Sequence, residues 1–161
     1  MEIEVERNLL LKHPFTMLVA GATSSGKTVF IRNLLNSIDE LMIPERPLPL
    51  KVVWAYGIFQ ENYKIALPNH NVVIEYVEGL PDENTKCDIM VIDDLMSTLS
   101  DSKSLSNLFT RGSHHKNMSV IFIVQNFFNQ GKEMRTVSLN SHYIVLMKNR
   151  RDLNQISRLR S

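Results

Sequence analysis

The sequence predicts an α/β fold built on a mainly parallel sheet, and three observations carry that prediction. Short apolar runs alternate with segments whose apolar residues recur at helical spacing. Gly21 to Thr28 reads GATSSGKT and lies between a strand-like run and a helix-like one. Ile89 to Ile92 is an apolar run that ends in the carboxylate pair Asp93 and Asp94. Strands joined through helical crossovers give parallel sheets with helices on both faces.

The elements follow in order. Phe15 to Ala20 is a short apolar run that leads into the glycine loop, and Val29, Phe30, Leu34, Leu35 and Ile38 then repeat at helical spacing. Asp39 to Leu50 carries Pro44, Pro47 and Pro49, which predicts a loop before a strand at Lys51 to Tyr56. Phe59 to Ala66 is expected as a short helix and Asn71 to Val77 as a strand. The turn residues Gly79-Leu80-Pro81-Asp82 precede the strand Ile89 to Ile92. Ser102 to Thr110 and Asp152 to Leu159 read as helices. Ser119 to Val124, SVIFIV, suits a strand buried on both faces, and Ser141 to Met147 is the last strand.

The loop Gly21-Ala22-Thr23-Ser24-Ser25-Gly26-Lys27-Thr28 fits G-x-x-x-x-G-K-[ST]. In that pattern glycines let backbone N–H groups curl around phosphate oxygens, Lys27 reaches the outer phosphates and the Thr28 hydroxyl sits on Mg²⁺. The helix that starts after Gly26 adds unpaired N–H groups and the positive end of its dipole. The strand before and the helix after are the context the motif requires. A glycine turn with a solvated lysine would leave the spacing unexplained. The chain therefore reads as a P-loop NTPase of the ASCE/RecA-like kind, a three-layer sandwich.

Asp93 and Asp94 follow four apolar residues, which places them at the carboxyl end of a central strand, where open α/β sheets bind ligands. Successive strand residues point in opposite directions, so at the strand's end Asp93 is expected to hold Mg²⁺ and Asp94 to orient the attacking water. A helix N-cap accounts for one of the two carboxylates but less readily for both. Gln125 ends the SVIFIV strand; if that strand neighbours the Asp93 strand, its amide lies beside the γ-phosphate and senses hydrolysis, the alternative being a strand-end amide that caps a loop. No N-K-x-D guanine motif is present, since Lys148-Asn149 runs in reverse, and ATP is the expected nucleotide.

At 161 residues with 43% hydrophobic composition, the chain suits a single domain over 1–161. One cysteine, Cys87, excludes an internal disulfide and is expected as a buried apolar residue; the five histidines lack zinc-ligand spacing. The acidic N-terminal stretch does not fit a signal peptide, and no apolar run reaches the length of a membrane span, so an intracellular protein without membrane contact is expected. The net charge of +1 hides an asymmetry: residues 1–101 hold eight Lys/Arg against fifteen Asp/Glu, and residues 102–161 hold ten against two. A basic half suits a polyanion such as DNA, while a solvated face without a partner is the plainer account.

Several blocks together resemble the genome-packaging ATPases of the HerA/FtsK superfamily: HPFT from His13, the GATSSGKT loop, WAYGIFQENY from Trp54, EGLPDE from Glu78, VIDDLM from Val91, LFTRGSHHKNMSVIFIVQNFF from Leu108 and SLNSHYIVLMKNRRD from Ser138. The resemblance is greatest to the packaging ATPases of Polinton/Maverick elements and adintoviruses, with poxvirus packaging ATPases further off. It covers Lys12 to Gln155. The phosphate loop and the acidic pair occur in many ATPases; the RGSHHKNMSVIFIVQN block is far more specific.

The resemblance implies an ATP-driven, homo-oligomeric ring that threads double-stranded DNA into a viral or element capsid, with a capsid or portal protein as a further partner and the host nucleus or cytoplasm, or the virion, as its place. Lys27, Thr28, Asp93, Asp94 and Gln125 match its nucleotide-site positions. Arg111 matches the arginine finger given to a neighbouring subunit, with Arg135 as the second choice. His114, His115 and Lys116 are expected either to line a DNA pore or to form a plain polar turn, and Lys148, Arg150, Arg151, Arg158 and Arg160 to face DNA or a neighbour. Family members usually continue past the position of Gln155, so a shortened C-terminus is expected. A small phosphoryl-transfer kinase and a non-catalytic nucleotide-binding module remain as alternatives.

Overall fold

Residues 10–22, 25–82, 84–95, 117–125 and 138–147 are described by the computed structural model. Six strands form one sheet: β2 (Thr16–Ala20), β4 (Leu50–Tyr56), β5 (Val72–Glu78), β6 (Ile89–Asp93), β7 (Ser119–Val124) and β8 (Tyr143–Leu146). Their order is β5-β4-β6-β7-β2-β8, and every pair is parallel. A separate two-stranded parallel pair joins β1 (Leu11–Lys12) to β3 (Met42–Ile43). Helix α1 (Lys27–Asn36) follows β2, and α2 (Ile38–Leu41) follows α1 directly.

Burial tracks position in the sheet. Of the four inner strands, β2, β6 and β7 are buried at every residue, as expected where both faces are covered, while β4 exposes Lys51. The border strands β5 and β8 have one neighbour each and are only half-buried. Alternate residues feed two cores. Met17, Val19, Val52, Trp54, Val91, Ile121 and Ile123 pack with Ile31 and Leu35 of α1 on one face. Leu18, Ala20, Met90, Ile92, Val120, Phe122 and Val124 form a second buried cluster with Leu95 and Met118. Truncating the fully buried Trp54 to alanine would cost about 3–5 kcal/mol.

Most strands fall within a residue or two of expectation, and β7 matches it at both ends. Three places differ. The stretch expected as a loop from Asp39 to Leu50 opens with the end of α2 and with β3, and becomes irregular only from Pro44. β1 and β3 are two residues long, too short for any periodicity to show. The helix expected over Phe59 to Ala66 is a single 3₁₀ turn, Glu61–Lys64, in which Tyr63 N–H bonds to the Gln60 carbonyl at 3.0 Å and Ile65 N–H to that of Asn62 at 3.2 Å. Cys87 is only partly buried, with its thiol 3.3 Å from the Met118 sulfur. The helices expected at Ser102 to Thr110 and Asp152 to Leu159 lie outside the described residues. Among those described, no helix is long and apolar enough to cross a membrane.

Candidate functional site

The glycine loop takes its shape from steric demands at both ends. Gly21 N–H donates to the carbonyl of Val124 at 3.1 Å, which ties the end of β2 to the end of β7. A β-carbon on Gly21 would lie 2.6 Å from Ser25 Oγ and 2.7 Å from Met147 Cβ. Gly26 turns the chain into α1 with φ +92°, a left-handed conformation that side chains resist. The first turn of α1 carries no acidic residue to occupy its N–H groups. Ser25 Oγ is buried with no hydrogen-bond partner, a donor left for a ligand within the loop. The Lys27 ammonium donates to the Gly21 carbonyl and, at 3.3 Å, to that of Val124. Ala22 is half-buried; Thr23 and Ser24 lie outside the described residues.

The two carboxylates differ in setting although they are neighbours. Asp93 is only 5% exposed and closes β6, while Asp94 is exposed at φ 54°, its N–H bonded to the Ile123 carbonyl at 3.0 Å. Desolvation pushes the Asp93 carboxyl above its usual range; hydrogen bonds from Tyr63 and Trp54 pull it back, Asp94 raises it further and Lys27 lowers it. Desolvation also raises Asp94, against the charge of Lys27.

β7 lies between β2 and β6, so the loop and the carboxylates sit on strands that do not touch. Gln125 follows β7, exposed, between the two strand ends in sheet order. The neighbour relation on which the sequence reading of Gln125 depended, β6 beside β7, is present. A cleft of about 570 Å³ opens here, lined by Lys27, Thr28, Gln60, Asn62, Asp93 and Asp94 together with Gly26, Val29 and Ile58.

Three residues at the site were not foreseen. Thr28 Oγ1 donates to Gln60 Oε1 at 3.0 Å. Asp93 Oδ2 accepts from the Tyr63 hydroxyl at 2.6 Å and from the Trp54 indole N–H at 3.2 Å. Burial and the bond to Asp93 push the Tyr63 hydroxyl far above its ordinary range, so it stays protonated and donates. The available signal was the aromatic block WAYGIFQENY, which places polar Gln60 three residues before Tyr63.

The donor set fits the nucleotide and cation that the sequence implies. Thr28 offers a hydroxyl, and Asp93 and Asp94 offer carboxylates; all are hard oxygen donors suited to Mg²⁺. The glycine cradle, the unpartnered Ser25 hydroxyl and Lys27 suit phosphate oxygens. Arginine occurs among the described residues only at 32 and 46, and both are engaged away from the cleft: Arg32 donates to the Tyr76 hydroxyl and the Ile65 carbonyl, and Arg46 pairs with Asp88 at 2.7 Å. Arg111, Arg135, residues 114–116 and the basic residues from Lys148 onward lie outside the described residues.

A sequence model of the family described as Poxvirus A32 protein matches residues 2–42, a stretch that takes in β2, the glycine loop and α1. No curated protein matches the chain. Among solved structures, the flagellar accessory protein FlaH from Methanocaldococcus jannaschii is 14% identical, with a TM-score of 0.59 over 91% of this chain and 76% of that one. B204, the DNA-packaging ATPase from Sulfolobus Turreted Icosahedral Virus, is 12% identical, with a TM-score of 0.55 over 92% of this chain and 83% of its own. These likenesses are of fold: the chain has the α/β architecture of the P-loop ATPases, with a six-stranded, all-parallel sheet.

Proposed function

We propose that the chain is an ATPase whose hydrolysis drives double-stranded DNA into a capsid. The observation that carries the nucleotide part is that Lys27, Thr28, Asp93 and Asp94, sixty-odd positions apart in sequence, line one cleft at the carboxyl ends of β2 and β6. The loop Gly21–Thr28 binds the phosphates, and Lys27 leaves its carbonyl partners for the outer phosphate oxygens. Thr28 and Asp93 hold Mg²⁺. When bound, the cation neutralises charge that gathers on the phosphate oxygens. Asp94, exposed and less acidic than an ordinary carboxyl, takes the proton of the attacking water. Gln125, at the end of β7, lies beside the γ-phosphate and senses its hydrolysis.

The DNA part rests on three supports: the poxvirus A32 family match over residues 2–42, the fold likeness to a DNA-packaging ATPase, and the basic composition of residues 102–161. On this reading residues 1–161 form one ATPase domain inside an infected or element-bearing cell. Copies assemble into a ring, in which Arg111 of one subunit completes the site of the next, and the ring works on a capsid or portal protein. The test is phosphate release from ATP by the purified protein, with and without duplex DNA, alongside its mass with a non-hydrolysable ATP analogue. The reading expects hydrolysis stimulated by duplex DNA and a mass of several subunits. Hydrolysis indifferent to DNA by a persistent monomer would reject the motor and leave an ATPase; transfer to a small hydroxyl acceptor would make it a kinase.

A further inference from the structure

One short turn reaches both residues that the proposed function assigns to the cation. Gln60 accepts the hydroxyl proton of Thr28 at 3.0 Å, and Tyr63 donates to Asp93 at 2.6 Å. The two are three residues apart and are joined by the bond from Tyr63 N–H to the Gln60 carbonyl. Gln60 is the extended residue that leads into the 3₁₀ turn and Tyr63 lies within it, so the main-chain bond between them holds both side chains over the first turn of α1 and the end of β6.

We infer that the turn Gln60–Lys64 is a positioning element for the divalent cation: Gln60 sets the hydroxyl of Thr28 and Tyr63 the carboxylate of Asp93, so that both oxygen donors are aimed before the cation arrives. The inference rests on the reading of Thr28 and Asp93 as its ligands. A threonine hydroxyl has one proton and two lone pairs. With the proton given to Gln60, the lone pairs remain for a cation. On Asp93 both donors, Tyr63 and Trp54, bond to Oδ2, and among the described residues none bonds to Oδ1. The carboxylate is thereby fixed in rotation with one oxygen left for a ligand. Groups that hold a metal ligand from behind in this way tune its affinity.

The turn is tied to its surroundings at several points. The Tyr63 ring stacks on Tyr76 at 4.5 Å and 20°, and meets Trp54, Tyr56 and Phe59 at 5.5, 5.3 and 5.4 Å. Arg32, buried on α1, donates both to the Tyr76 hydroxyl and to the carbonyl of Ile65 just past the turn. A hydroxyl mounted on so constrained a ring has little freedom to lose when it bonds Asp93.

The experiment uses Mn²⁺ as the probe, its binding followed by electron paramagnetic resonance with a non-hydrolysable ATP analogue present, and the analogue's affinity measured separately without any cation. Tyr63→Phe removes the hydroxyl and keeps the ring; Gln60→Ala removes the acceptor for Thr28. Each is expected to raise the half-saturating Mn²⁺ concentration about tenfold while leaving cation-free analogue binding unchanged. Gln60→Glu, which keeps an acceptor oxygen at the same reach, returns the requirement to the native value or below. Native-like Mn²⁺ saturation in both truncating variants, or an equal loss of analogue affinity with and without Mn²⁺, would overturn the inference while leaving the ATP site standing. Failure of the native protein to bind the analogue would overturn the ATP reading and this inference together. Should Tyr63→Phe unfold, Gln60→Ala on the surface of the cleft decides the matter by the same criteria.

Discussion

Gly21 and Met147 meet at the end of the sheet so closely that a β-carbon on the glycine would stand 2.7 Å from that of the methionine. Met147 is held there by its N–H bond to the Ala20 carbonyl at 2.8 Å, which leaves its backbone little room to retreat. Gly21→Ala is therefore expected to lower the melting temperature, at a cost of about 1–3 kcal/mol, and to weaken binding of an ATP analogue. Thermal denaturation and calorimetric titration check the two effects. A stable variant with native affinity would refute the steric account.

Lys27→Ala separates binding from folding. The ammonium bonds to the carbonyls of Gly21 and Val124 at the ends of β2 and β7, and its removal is expected to leave the melting temperature within a few degrees of native. Analogue affinity is expected to fall by more than about tenfold, as befits a lost charge-assisted bond to phosphate. Isothermal titration gives the answer, and unchanged affinity would sink the role of Lys27.

Asp94 is a cleaner target than its position suggests. Its φ of 54° lies in the left-handed region, which asparagine tolerates well and most other residues do not. Asp94→Asn is thus expected to fold normally and bind ATP while its turnover falls by about 10²-fold or more. Turnover at the native rate would end the case for Asp94 as proton acceptor.

His13 makes stability depend on pH. It is buried, bonded to Ser119 Oγ at 2.6 Å and to the Asn117 carbonyl at 2.9 Å. Burial lowers its pKa below the ordinary 6.5, the charge of Arg46 adds to the effect, and the Asn117 bond and Asp88 oppose it. The unfolded chain then takes up a proton that the folded one refuses. Stability from this group is full above pH 6.5 and is lost as pH falls through that value toward the folded pKa. The denaturant midpoint should decline over that window, and the His13 resonance should titrate below 6.5. A resonance that titrates above it would contradict the burial argument.

If the basic residues of 102–161 meet DNA phosphates, affinity for duplex DNA should fall by orders of magnitude between about 50 and about 200 mM salt and should vary little with sequence. Fluorescence anisotropy with two unrelated duplexes measures both. Salt-independent or strongly selective binding would count against a channel that grips the backbone.

The fold was legible where a residue pattern is local. SVIFIV announces a strand covered on both faces, and GATSSGKT announces strand, loop and helix within a dozen positions. The cleft was legible for the same reason, since Lys27, Thr28, Asp93 and Asp94 belong to contiguous motifs. What remained hidden depends on contacts between distant segments. Tyr63 reaches Asp93 thirty positions away and His13 reaches Ser119 more than a hundred away, and neither residue type marks its partner. The β1 and β3 pair escaped because two residues cannot display a period. Arg111, read from the family resemblance, falls outside the described residues.

The interposition of β7 makes the bite of the cleft a property of the main chain. Adjacent strands in a sheet stand about 4.8 Å apart, so the ends of β2 and β6 are held roughly 9.6 Å from one another. That distance is gauged by the ladders that run Thr16 to Ala20 against Val120 to Val124, and Ile89 to Asp93 against Ser119 to Ile123. Side chains on β7 can drift in evolution, provided they remain apolar and fill their layer, without altering the caliper that the backbone sets. Only a slip in register, which would turn every residue of β7 to the opposite face, would change which atoms its two jaws present.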